Sequence, residues 1–101
     1  MIFKFFWFFR GLLYAPFFKS YGFSSYVGKP VFIKGFSKIR IGKRVRIFPG
    51  LRIEALGENS EIVIEEETGI GQNVHITSSG KLIIKSKSTI LANVFITNID
   101  P

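Results

Sequence analysis

The sequence predicts an all-β chain wound as a hexapeptide-repeat parallel β-helix of about four coils over residues 27–101. A hydrophobic aromatic arm over residues 1–26, expected to be helical, precedes it. Three observations carry this reading. Aliphatic residues recur every six positions, at Ile41, Ile47 and Ile53, then Ile64, Ile70 and Ile76, then Ile84, Ile90 and Ile96. The chain also matches itself: NVHIT at 73–77 returns as NVFIT at 93–97, and IGKRVRIFPG at 41–50 resembles IGQNVHITSSG at 70–80. Self-similarity at a fixed spacing is the mark of a solenoid. Finally, the texture changes at Val27, since twelve of the sixteen aromatic residues lie in residues 1–26.

Length and composition bound the rest. The 101 residues are room for one domain. With no Cys there is no disulfide framework, thiolate metal site or Cys nucleophile. One His excludes a multi-His zinc site within one chain. A hydrophobic content of 47% excludes a disordered tail. The net charge of +7 is unevenly spread: eleven Lys and Arg precede the first acid, Glu54, and the remainder of the chain sums to −4.

The arm comes first in the chain. Residues 2–18 read IFKFFWFFRGLLYAPFF. A membrane span needs roughly 20 apolar residues, and Arg10 falls in the middle of this run. Arg10 also breaks the apolar region that a signal peptide would need. Two readings stay open. In one, Phe and Trp enter the headgroup boundary of a membrane while Lys4, Arg10 and Lys19 reach towards anionic lipid. In the other, the arm packs on the body of the protein or on a neighbouring subunit.

The coils follow. A period of six is neither the 3.6 of a helix nor plain alternation. Alternation does hold within each unit, as in Ile39 and Ile41, Val45 and Ile47, and Leu51 and Ile53, which means short strands. The reset every six residues means a corner after each strand. Gly42, Gly50, Gly71, Asn73 and Asn93 are the residues expected to tolerate positive φ there. Three strands and three corners close a triangular coil of about eighteen residues. A second small or aliphatic residue follows each aliphatic at four places and fills the interior: Val45, Leu51, Thr68, Val74, Gly80, Ser88 and Val94. Extra residues are expected at one corner, near Ser78–Lys81 and, one coil earlier, at Leu56–Glu61. A β-sandwich of alternating strands is the competing fold, and the persistent phase of six argues against it.

The segment YVGKPVFIKGFSKIRIGKRVRIFPGLRIEAL, followed by IGQNVHIT and ILANVFITNID, resembles the hexapeptide-repeat acyltransferases. The nearest branch is the sugar O-acetyltransferases of lipopolysaccharide and capsule biosynthesis. The likeness runs over residues 26–101 and more weakly over the arm. It implies a left-handed parallel β-helix, a homotrimer, and acetyl-CoA as co-substrate in a groove between adjacent prisms. It further implies a His that acts as general base on a hydroxyl of a sugar or lipid-linked saccharide, without metal or covalent intermediate. The implied place is cytoplasmic, peripheral on the inner face of the bacterial cytoplasmic membrane. The sequence departs from the family pattern where that His is expected, because Asn98-Ile99-Asp100 runs into Pro101. The family's later coils do not follow. The chain therefore reads as a truncated, catalytically impaired acetyltransferase-like protein, with a non-catalytic solenoid that binds or assembles as the alternative.

Individual residues carry two readings each. His75, the single His, is a candidate alternative base or an outward residue between the inward Val74 and Ile76. Asn73 resembles the family position that binds the acceptor sugar, or it turns a corner. Asn98 and Asp100 resemble the acceptor-side shell, or they are terminal polar residues. Glu65, Glu66 and Glu67 read as a solvated coil face. The basic run from Lys34 to Arg52 lacks the aromatic interleaving of a nucleic-acid platform beyond Phe36 and Phe48, so a membrane surface or a pyrophosphate-linked lipid fits it better.

Overall fold

A computed structural model describes Phe6, Phe9, Arg10 and residues 17–22 and 24–98. The expected helical conformation of the arm falls largely outside the described residues. From Ser20 onwards the chain climbs in four coils of three short strands. The first coil holds β1 (Ser20–Tyr21), β2 (Tyr26–Val27) and β3 (Phe32–Lys34). The second holds β4 (Ile39–Ile41), β5 (Arg46–Ile47) and β6 (Arg52–Ala55). The third holds β7 (Glu61–Ile64), β8 (Gly69–Ile70) and β9 (His75–Ser78). The fourth holds β10 (Lys81–Ile84), β11 (Thr89–Ile90) and β12 (Phe95–Asn98). Equivalent strands stack into three four-stranded sheets, and all their pairings are parallel. This is a parallel β-solenoid, and a sandwich of antiparallel strands is excluded. The first sheet contains β1, β4, β7 and β10, the second β2, β5, β8 and β11, and the third β3, β6, β9 and β12.

The inward positions explain the coil. Ile39, Ile47, Ile53, Ile62, Ile64, Ile70, Val74 and Ile76 are all buried, stacked in columns along the axis. Each fully buried aliphatic contributes roughly 1.5–3 kcal/mol, so the columns dominate the energetics. Between coils, backbone N–H groups donate to carbonyls of the next coil, as in Arg46 to Thr68 at 2.9 Å and His75 to Val94 at 3.0 Å. Phe18, Tyr21 and Phe36 pack against the first coil's end of this core, with Phe18 and Phe36 ring centroids 5.0 Å apart.

The first coil begins at Ser20, ahead of the Val27 boundary read from the sequence, because β1 pairs with β4 and puts Tyr21 beside Ile41. Register gives the coil lengths. Ser20 pairs with Arg40, Arg40 with Val63 and Val63 with Ile83, which is 20, 23 and 20 residues. The surplus over eighteen always enters at the corner between the third and first sheets. There the first coil has Gly35 and a 3₁₀ turn at Phe36–Lys38, the second has residues 56–60, and the third has Ser79 and Gly80. The interior of that corner is filled by the buried Ser60 and Ser78 rather than by Gly80.

The corners correct one expectation. Gly50, Asn73 and Asn93 do take positive φ, but Gly42 and Gly71 do not. Those two glycines permit close approach: a Cβ on Gly42 would lie 2.6 Å from the Glu66 nitrogen, and one on Gly71 would lie 2.8 Å from the Ala92 nitrogen. The left-handed residues between the first and second sheets are Ser24, Arg44, Glu67 and Lys87, with φ of 62°, 52°, 60° and 61°.

Candidate functional site

The third sheet carries the richest outer face. Strand alternation points Ile33, Ile53, Ile76 and Ile96 towards the prism interior and their neighbours outwards. In-register pairing then stacks outward residues in two columns. One column runs Phe32, Arg52, His75, Phe95, and the other runs Lys34, Glu54, Thr77, Thr97.

Contacts tie these columns together. His75 Nε2–H donates to Glu54 Oε1 at 3.0 Å, and Arg52 Nε donates to the same oxygen at 3.3 Å. The imidazole lies against Phe95, centroid to centroid 4.6 Å with the rings tilted by 36°. The Arg52 guanidinium sits 5.7 Å from the centre of the Phe32 ring. Thr77 and Thr97 hydroxyls meet at 3.2 Å. The His75 side chain is 34% exposed and that of Glu54 only 16%.

The electrostatics follow from those contacts. The hydrogen bond from His75 first, and then the charge and hydrogen bond of Arg52, hold the Glu54 carboxyl below its ordinary 4.5, against an opposing push from burial. Glu54 is therefore a carboxylate at neutral pH. A carboxylate only accepts, so the neutral His75 ring carries its proton on Nε2 and keeps its lone pair on Nδ1.

The residues named from sequence fall in different places. His75 stands outward, between Val74 and Ile76, both fully buried. Asn73 turns the corner that leads into β9, with φ 57°; its N–H donates to the Pro49 carbonyl at 3.1 Å, and its side-chain oxygen takes the space that a Cβ on Gly50 would need. Asn98 Nδ2 donates to the Lys81 carbonyl at 3.1 Å and to Ser78 Oγ at 3.4 Å, closing the corner beyond β9. Asp100 and Pro101 lie outside the described residues. Sequence reading missed Glu54, Arg52 and Phe95. The signal available was the register, once the long corner at 56–60 is counted.

A cationic cleft of about 410 Å³ is lined by Arg44, Arg46, Glu67 and Lys87. It lies at the corner between the first and second sheets, across the prism from the third. One chain thus does not bring this cleft beside His75. Among the described residues, no group of three or more His, Cys, Asp or Glu could hold a metal ion, and no helix is long and apolar enough to cross a membrane. No family model, curated protein or solved structure matches the chain.

Proposed function

We propose that the chain is an acetyltransferase-like solenoid that acts on a saccharide hydroxyl at the outer face of its third sheet. The single observation that carries the proposal is the His75–Glu54 hydrogen bond at 3.0 Å on an outward, half-open face. Glu54 holds the ring and would stabilise the imidazolium as His75 Nδ1 takes the hydroxyl proton. Phe95 offers flat apolar surface to a sugar ring, and Thr97 offers a hydroxyl to its polar edge. The acyl donor, acetyl-CoA, rests on the sequence resemblance alone, as do the homotrimer and the role in surface-polysaccharide biosynthesis.

One observation favours a second reading. Glu54 is shared between Arg52 and His75, and Phe95 packs on the ring, so the face is also a closed ladder able to bind a saccharide without turnover. Release of CoA thiol from acetyl-CoA, measured over a panel of p-nitrophenyl glycosides, separates the two. Acetyl transfer predicts acceptor-dependent release that falls roughly 10²–10⁴-fold in His75→Gln. Saccharide binding with no acceptor-dependent release selects the binding module instead.

A further inference from the structure

The basic half of the chain is not a uniform row of free charge. Glu54 takes Arg52, Glu61 takes both Lys19 and Arg40 at 3.0 Å, and Glu67 takes Arg44 at 3.0 Å. Glu61 and Glu67 thus neutralise cations nearer the first-coil end, whereas Glu54 takes a cation of its own strand. The first coil differs. Lys29 and Lys34 are exposed, and neither forms an ion pair among the described residues. No acid occurs anywhere before Glu54 to offset them.

Apolar surface collects at the same end. Val31 is 68% exposed, Phe17 61% and Phe32 43%. Val31 and Phe32 line an open pocket of about 320 Å³ with Pro30, Ile33 and Phe36. Phe17 extends that surface, its ring centroid 5.8 Å from that of Phe36. Exposed aromatics flanked by lysines outside any ion pair among the described residues, with Glu54, the register neighbour of Lys34, committed to Arg52 and His75, complement a surface that is apolar beneath and anionic on top.

We infer that the first-coil end of the solenoid is a docking surface for an anionic phospholipid membrane. Phe17, Val31 and Phe32 enter the headgroup boundary while Lys29 and Lys34 lie at the lipid phosphates. Two weak signals of this kind, apolar insertion and basic charge, combine into stable binding. The surface thereby keeps Lys34 from the Lys34–Arg52 row and shifts to the base of the prism, because Arg40, Arg44 and Arg52 of that row are already ion-paired.

Flotation of the full chain with vesicles of phosphatidylcholine, with and without phosphatidylglycerol, tests this. The chain should float with the phosphatidylglycerol vesicles at low salt and be released as salt rises. Lys29→Ala/Lys34→Ala should weaken flotation roughly tenfold or more, and Val31→Ser/Phe32→Ser should weaken it independently. All four positions are exposed or line an open pocket, and an unchanged circular-dichroism spectrum would show the variants folded. Flotation indifferent to phosphatidylglycerol and to both variants would overturn the inference, since the arm alone would then hold the lipid. A concentration-dependent oligomer that Val31→Ser/Phe32→Ser dissociates would also overturn it, by making a second copy the occupant.

Discussion

Asn73 shows how one residue can carry a corner. Its φ of 57° puts it in the left-handed region, where Asn and Gly are tolerated and other side chains strain against the following carbonyl. Asn73→Ala should lower stability by about 1–2 kcal/mol, and Asn73→Gly by less, read as shifts of the urea midpoint at constant slope. An acceptor-binding Asn73 would instead leave the midpoint in place and change saccharide affinity. His75 differs, because its side chain serves the outer face and its backbone alone serves the ladder. The pair it forms with Glu54 was not legible in the sequence. The two residues are 21 apart, whereas a regular coil of eighteen or twenty would set a different residue beside His75. The five-residue corner at 56–60 has no apolar phase from which its length could be counted into the register.

At the scale of elements, the inward columns were legible and the first coil was not. Ile64, Ile70 and Ile76 announce themselves because one aliphatic at every sixth position is all that the interior of each side requires. In the first coil the same column positions hold Tyr21, Val27 and Ile33, so an aromatic breaks the aliphatic pattern just where the aromatic arm ends. The left-handed corner of Arg44, Glu67 and Lys87 was equally hidden. These residues have no intrinsic preference for positive φ, and the stacked geometry of the corner imposes it. The columns also set the cost of substitution. Ile64 lies between Ile41 and Ile84 in the first sheet and is fully buried. Ile64→Ala should therefore cost about 2–5 kcal/mol, the range for truncating a core aliphatic that its neighbours cannot collapse around. The check is chemical denaturation. A loss below about 1 kcal/mol would mean that the coil interior is loosely packed.

At the scale of the molecule, charge runs along the axis and is used between coils. Glu54, Glu61 and Glu67 each have their carboxyl held below the ordinary 4.5, by His75 and Arg52, by Lys19 and Arg40, and by Arg44, respectively. The sign follows from linkage. A carboxyl with a depressed folded-state value contributes stability above its unfolded value, and that contribution is lost as pH falls through the folded one. The thermal midpoint should thus hold near neutrality and fall as pH drops below about 4.5. The Glu61 and Glu67 pairs are open to solvent, so salt should blunt part of the effect. A midpoint flat down to about pH 3 would show that these pairs add nothing to the folded state. The same coil-to-coil stacking delivers Glu54 to His75, and the proposed chemistry rests on that delivery. With one His in the chain, imidazole ¹⁵N chemical shifts at alkaline pH report its tautomer without ambiguity. The wild-type ring should carry its proton on Nε2, and Glu54→Gln should shift the tautomer balance; a proton on Nδ1, or a balance unmoved by Glu54→Gln, would contradict the pair and the base built on it.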